Sequence, residues 1–146
     1  QDRGNDGGGG MTYLGEKKLA NFRNREPKEH KNSEAYKQRP GMSDKHLALI
    51  RRLPCCVCGK SYAGEAHHLK SGIGERGMGI RTTDRWTVPM CHNDHMEVER
   101  AGSKRETEWF KKRGVFPTLL ALDLWTNTGD EARMRRVLAA HKEVAS

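Results

Sequence analysis

The sequence predicts a small α+β fold stapled by a metal ion, with further helices on its C-terminal side. The 146 residues are only 34% apolar and 32% charged, so a large continuous core is not expected. Three of the four cysteines lie within 55–58, shortly before two adjacent histidines, and the fourth is Cys91. Two short strand-like segments flank a glycine-rich stretch, and helical patterns occupy the rest of the chain.

The ordered part of the chain is expected to begin near Ser43. This serine is a candidate N-cap for a helix that Pro54 ends. The segments GEAHHL and RWTVPMC then suit two short strands that form a hairpin around a long glycine-rich loop. This hairpin places the histidine pair on its first strand.

Helices are predicted downstream of the hairpin. The segment CHNDHMEVERAG reads as a helix that ends near Gly102, and the next helix opens with a capping box of Ser103 and Glu106. Two more helices follow, separated near Gly129. The side chains expected to pack these helices are Trp109, Phe110, Leu119, Leu120, Leu124 and Trp125.

Residues 1–42 are interpreted as a disordered basic N-terminal arm, because they show almost no apolar periodicity. Residues 1–10 precede Met11 and could be an expression remnant or a linker, with Met11 as the natural start. We interpret the arm as a solvated tail without a specific function and favour this over a dedicated DNA-binding arm. Residues 43–146 form the predicted functional domain.

Charge points to a polyanionic partner. The formal net charge is +8, which favours nucleic acid first and an anionic membrane surface second. No apolar run approaches the roughly 18 to 20 residues of a membrane span, and the first thirty residues lack a secretory-type stretch. We therefore expect an intracellular, cytoplasmic protein with no membrane association.

The cysteines have the spacing of a metal site. Cys55 and Cys58 form a C-x-x-C pair, and in a reducing compartment such a cluster indicates a metal ion more than disulfides. A structural zinc would be completed at the start of the next helix by Cys91 and either Asp94 or His95. The competing interpretation is a set of ordinary buried thiols.

The histidine pair indicates a second site. His67 and His68 are adjacent on a strand and point to opposite faces, so they do not ligate the zinc together. His95 and Glu99 share one helical face and could bind a divalent metal with His67. Three other histidines are interpreted as ordinary satisfied polar groups: His30, His46 and His141.

At this point the residues resemble a known family. LPCCVCG, AHHL, GMG, DRWTVPMC and His95, followed downstream by EWFKKRGVFP and ALDLW, are similar to the HNH endonucleases. They resemble in particular the phage-encoded branch that includes the Ref recombination-enhancement nuclease, and the likeness covers about residues 43–128. It implies a ββα-metal fold, in which a hairpin and a helix hold a divalent ion.

The resemblance implies a role for each matching residue. His67 corresponds to the first metal ligand and His68 to the general base, while Asp84 takes the place of the middle Asn and steadies that base. His95 corresponds to the final histidine of the motif, and Glu99 falls where some members have another histidine ligand.

The zinc site departs from the family pattern at one position. Cys55, Cys58 and Cys91 match, but Asp94 stands where a second Cys or His is usual, and His92 and His95 are the alternative ligands. If His95 bound the zinc, the catalytic site would lose a ligand.

The expected function is a metal-dependent DNA endonuclease acting in phage or prophage DNA processing or recombination. Its catalytic ion would be Mg²⁺ or Mn²⁺, with Ni²⁺ or Zn²⁺ as alternatives, and no small-molecule cofactor is needed. The expected partners are DNA and a recombination protein. The glycine-rich loop is either a flexible connection or a loop that approaches DNA, and the sequence favours neither. In the second case, phosphate contacts are assigned to Lys70, Arg76, Arg81 and Arg85.

Two alternatives stay open. One is a non-catalytic, zinc-stapled nucleic-acid-binding module, for which the histidine pair would be unnecessary. The other is a redox switch in which Cys56 pairs with Cys55 or Cys58, although a bound zinc would occupy those two thiolates.

Overall fold

The computed structural model describes residues 34–74 and 82–144. Contacts divide the chain into two units, Gln1–Tyr36 and Lys37–Ser146. Most of the expected N-terminal arm, including 1–10 and His30, lies outside the described residues, so its disorder stays a prediction. The described end of that segment carries a short helix, α1 (Glu34–Lys37).

Helix α2 (Asp44–Arg52) begins where the sequence predicts. The Ser43 side chain accepts a hydrogen bond from the backbone N–H of His46 at 3.1 Å, which caps the helix. The buried face carries His46, Leu49 and Ile50. The helix ends at Leu53, whose N–H bonds to the Ile50 carbonyl before Pro54 redirects the chain.

A two-stranded antiparallel sheet follows, as predicted. Strand β1 (Glu65–His68) pairs with β2 (Thr87–Met90), and a single 3₁₀ turn, Asp84–Trp86, leads into β2. The register sets His67 opposite Val88 and His68 opposite Thr87. All four residues of β2 are buried, so this strand is covered on both faces.

The remaining helices confirm a mixed α+β fold. They are α3 (His92–Ala101), α4 (Glu106–Lys111), α5 (Pro117–Thr126) and α6 (Glu131–Val144). Helix α3 ends at Gly102, whose φ of +83° favours glycine, in agreement with the sequence. Among residues 34–74 and 82–144, no helix combines the length and apolar character that a membrane crossing requires.

The predicted capping box is wrong. Helix α4 begins at Glu106 after the N-cap residue Arg105, which makes no side-chain cap hydrogen bond. Glu106 itself is buried, with 2% of its surface exposed, and its carboxylate bonds to groups on and after β1. A residue interpreted as a local helix signal therefore has a long-range role.

The core lies between the sheet and the helices, and two predicted packing residues, Leu119 and Trp125, do not belong to it. Leu119 is 60% exposed, because α5 turns Leu120, Ala121 and Leu124 inward instead. Trp125 is only partly buried and meets the His46 ring edge-on. The largest fully buried apolar side chains are Phe110, Ile50, Leu53, Leu69, Met90, Leu120, Leu124, Met134, Val88 and Val98.

His46 is a satisfied polar group, as predicted, and it ties three elements together. Its Nδ1 lies 2.7 Å from the Thr128 hydroxyl after α5, and its Nε2 lies 3.1 Å from the Thr87 hydroxyl on β2. Burial lowers the pKa of His46 to about 4, although the charge of Asp84 acts in the opposite direction. The imidazole is therefore neutral in the folded protein at neutral pH.

This depressed pKa predicts a loss of stability in mild acid. Unfolding exposes His46, which then binds a proton below its ordinary pKa of 6.5, so stability falls as pH drops from 6.5 toward 4. Between pH 7 and pH 5 the contribution of this histidine is about 2 kcal/mol. Urea unfolding across this range should show that His46→Gln loses less stability than the wild type. Equal losses in the two proteins would contradict the assignment.

Candidate metal centres

A tight turn holds the C-x-x-C pair. The backbone N–H of Cys55 bonds to the Lys60 carbonyl at 2.9 Å, and the Gly59 N–H bonds back to the Cys55 carbonyl at 3.0 Å. Gly59 has φ +76°, a conformation that other residues adopt only with strain. The N–H of Cys56 bonds to the Pro89 carbonyl at 2.9 Å, which fixes the turn to β2.

The turn and the start of α3 together form a first cluster of ligand-type side chains, defined by Cys55, Cys58, Cys91 and Asp94. One ligand atom from each residue lies within 4.8 Å of all the others. The Asp94 Oδ2 atom is 3.2 Å from the Cys55 sulfur and 3.1 Å from the Cys91 sulfur, and the Cys58 and Cys91 sulfurs are 3.7 Å apart. This thiol cluster could hold a metal ion.

Without a metal ion, the thiols of the thiol cluster are protonated and its carboxylate is ionised. Burial raises the pKa of Cys55, and it raises that of Cys91 to about 12. Burial also acts to raise the pKa of Asp94, but hydrogen bonds from Cys91 and Cys55 outweigh it and leave that pKa lowered. Protonated thiols thus donate to one ionised carboxylate, and a metal ion would displace their protons.

Cys56 lies outside the thiol cluster. Its side chain belongs to the hydrophobic core and is 3% exposed. Burial raises the pKa of the Cys56 thiol well above its ordinary value. Because the thiolate is the reactive form, this environment does not favour the redox switch.

A second cluster, the histidine cluster, consists of His67, His95 and Glu99. Their ligand atoms also lie within 4.8 Å of one another. The Glu99 Oε1 atom is 3.6 Å from both His67 Nδ1 and His95 Nε2, and the two rings meet edge-on with their centres 4.9 Å apart. Strand β1 supplies His67, and α3 supplies His95 and Glu99, which lie one helical turn apart.

Each imidazole of the histidine cluster has a carboxylate on its far side. Glu106 Oε1 is 2.8 Å from His67 Nε2, and Glu65 Oε2 is 2.5 Å from His95 Nδ1. A ring nitrogen that donates to a carboxylate leaves the other nitrogen with a lone pair, as in metal sites. His67 Nδ1 is buried and has no hydrogen-bond partner within the described part of the chain. This orphaned acceptor, facing a carboxylate oxygen, fits a cation between them.

Neighbouring residues at the start of α3 belong to different clusters. Asp94 belongs to the thiol cluster and His95 to the histidine cluster. His92 is exposed and bonds through Nδ1 to Glu65 at 2.8 Å, outside both clusters. Hydrogen bonds from His92, and then from His95, lower the pKa of Glu65.

The four residues predicted to contact phosphate differ in their environment, and the structure describes two of them. The Lys70 ammonium forms an ion pair with Glu99 of the histidine cluster. Burial acts to raise the pKa of Glu99, but the Lys70 hydrogen bond and charge leave it lowered. Arg85 is partly buried, with its side chain close to Gly41. Arg76 and Arg81 lie outside the described residues.

His68, the residue after His67 on β1, forms a dyad with Asp84. The Asp84 Oδ1 atom lies 2.8 Å from His68 Nε2, and Asp84 Oδ2 accepts a hydrogen bond from the Ser43 N–H at 2.9 Å. Asp84 is 2% exposed. The start of α2 therefore fixes the carboxylate, and the carboxylate fixes the imidazole ring.

Sequence reasoning missed Glu65 and Glu106, which support the two imidazoles of the histidine cluster. Glu65 begins β1 and lies two positions before His67, a spacing that puts both on the same face of the strand. Glu106 offered no such signal, because its distance of 39 positions from His67 is bridged only by the fold.

The fold and the two clusters define a small α+β protein with candidate metal centres. The chain belongs to a family whose model matches residues 24–125 and which is described as "Protein of unknown function (DUF968)". That match includes both clusters.

The chain is also similar to a curated protein from Escherichia coli (strain K12), "Uncharacterized protein YdfU". The two are 34% identical over 62 residues, which make up 42% of this chain and 17% of that protein. The similarity thus spans a small part of the relative's length. No solved structure matches the chain.

Removing one thiol should remove one metal ion. We expect Cys58→Ser to lose the ion of the thiol cluster and, where free metal is about 1,000 times its Kd, about 4 kcal/mol of stability. Metal analysis and thermal unfolding check this. Cys56→Ala is the control, because it removes a neighbouring thiol outside the cluster and should keep the ion. Equal metal content in wild type and Cys58→Ser would contradict the cluster.

Proposed function

We propose that the protein is a metal-dependent endonuclease that hydrolyses phosphodiester bonds in DNA, with a ββα-metal site of the HNH type. The observation that carries this proposal is the division of the adjacent histidines of β1. His67 joins a cluster of metal-type ligands with His95 and Glu99, while His68 bonds to a buried aspartate. A ligand and an oriented base on neighbouring residues are what metal-assisted hydrolysis requires.

His68 acts as the general base in this proposal. When Nε2–H donates to Asp84 at 2.8 Å, the lone pair resides on Nδ1, which can accept a proton from water. The oxygen of that water then bonds to phosphorus as the bond to the leaving sugar oxygen breaks. Asp84 holds the ring orientation and stabilises the imidazolium that forms.

His67, His95 and Glu99 would hold the catalytic ion, with Mg²⁺ or Mn²⁺ as the proposed metals and Ni²⁺ or Zn²⁺ as alternatives. Such an ion supplies positive charge to the phosphate and the leaving oxygen. Cys55, Cys58, Cys91 and Asp94 would hold a structural zinc. The thiol cluster thereby supports the helix that carries the second site.

DNA is the proposed substrate because of the charge of the chain. The net charge of +8 favours a polyanion, and we assign phosphate contacts to Lys70, Arg76, Arg81 and Arg85. A phage or prophage setting and a recombination protein as partner rest on the family resemblance alone.

A non-catalytic zinc-stapled nucleic-acid-binding module is the second candidate. One observation favours it: the ion pair between Lys70 and Glu99 neutralises a carboxylate of the histidine cluster without a metal. Binding of DNA without hydrolysis under any divalent ion would support this candidate.

Loss of the proposed base should abolish cleavage while leaving DNA binding intact. We expect His68→Ala to lower the cleavage rate by about 100- to 10,000-fold, because general-base catalysis contributes this much. The measurement is nicking of plasmid DNA in Mg²⁺ or Mn²⁺, together with a binding assay.

The matched control is His141→Ala. His141 also pairs through Nε2 with an aspartate, at 2.6 Å, but lies on α6 outside both clusters. Its loss should leave the cleavage rate unchanged. Cleavage at the wild-type rate by His68→Ala would sink the proposed mechanism.

The proposed phosphate contacts should appear in the salt dependence of DNA binding. We expect the double variant Arg76→Ala and Arg81→Ala to weaken binding and to reduce the salt slope by about 2, since each lost contact contributes about 1. Lys111→Ala with Lys112→Ala is the charge-matched control at an exposed helix end. An identical effect of both double variants would argue against specific contacts in the loop.

A further inference from the structure

Glu106 joins the histidine cluster to the chain that follows β1. Its Oε1 atom faces His67 Nε2 at 2.8 Å. Its Oε2 atom accepts three hydrogen bonds, from the backbone N–H groups of Lys70 at 2.7 Å and Ser71 at 2.8 Å and from the Ser71 hydroxyl at 3.0 Å. With 2% of its surface exposed, Glu106 makes these contacts away from bulk water.

The two backbone N–H groups fix which atom of residue 106 faces the histidine. An N–H can only donate, so the Oε2 position must hold an acceptor. The second carboxylate oxygen then faces His67 Nε2. This oxygen can accept a hydrogen bond from Nε2 only when that nitrogen carries the proton. His67 Nδ1, which is buried without a hydrogen-bond partner among the described residues, keeps its lone pair and points toward Glu99.

We propose that Glu106 is a positioning residue that sets the tautomer of His67, and so makes its Nδ1 atom a metal ligand. The inference rests on the metal site of the proposed function. Glu106 does not contact the ion; it acts by holding the proton on the nitrogen that faces away from the cluster. Metal binding at the histidine cluster thus depends on a carboxylate from α4, a helix outside the hairpin and α3.

Glutamine at position 106 tests this with little change in shape. An amide has one acceptor and one donor, and the acceptor should stay on the N–H groups of Lys70 and Ser71. The amide NH₂ would then face His67 Nε2. Because this NH₂ group donates, Nε2 can pair with it only when Nε2 is unprotonated and accepts. The proton would move to Nδ1, and an Nδ1–H cannot bind a cation.

The experiment combines nitrogen NMR of labelled histidines with Mn²⁺ binding, on full-length protein that holds one zinc per chain. In the wild type without Mn²⁺, we expect His67 to carry its proton on Nε2. In Glu106→Gln the proton should lie on Nδ1, and Mn²⁺ affinity should fall by about 10- to 100-fold. Glu108→Gln, the same change at an exposed position of α4, should alter neither property.

Two results would overturn the proposal. One is a wild-type His67 protonated on Nδ1 before Mn²⁺ is added, which needs no variant and so stands even if Glu106→Gln fails to fold. The other is a folded Glu106→Gln protein with unchanged tautomer and affinity. Both readouts are made without DNA, so a protein that binds Mn²⁺ as expected but cuts no DNA would contradict the nuclease and leave the role of Glu106 intact.

Discussion

The thiol cluster is the constraint on which the rest of the site depends. It joins the turn at 55–58, which is hydrogen-bonded to β2, to the first turn of α3 through Cys91 and Asp94. A chain with 34% apolar residues has a limited core to fix a ten-residue helix. A metal ion across these four side chains would hold α3 against the sheet. Since His95 follows Asp94 directly, fixing one residue also sets the position of the other.

The histidine cluster draws on both sides of this arrangement. Its ligand from β1 is buried and its ligands from α3 are more exposed, so one side of the site is shielded from solvent and the other is open to it. Carboxylates stand behind both rings, which orients lone pairs inward before any ion binds. The dyad of His68 and Asp84 is anchored separately, through the start of α2. Chemistry at this site would therefore use groups that several elements hold in place.

Local patterns predicted most of the elements and most members of the two clusters. Ser43 and Gly102 act at helix ends as their residue types indicate, and the C-x-x-C spacing predicts the turn. The assignment of Asp94 and His95 to different clusters needed the structure. Adjacent helical residues point about 100° apart, but the sequence does not say which of the two faces the turn at 55–58 and which faces β1. Glu106 could not be found locally, since its partners are more than thirty positions away and its type also fits a helix cap. Leu119 shows the same limit for packing, because α5 is apolar on several faces.

Anomalous diffraction from crystals grown with Zn²⁺ and Mn²⁺ would locate each metal ion and show whether the chain has two separate metal sites. We expect one ion bound by Cys55, Cys58, Cys91 and Asp94, and a second bound by His67, His95 and Glu99. A single ion per chain, or one ion that takes both Asp94 and His95, would contradict this expectation.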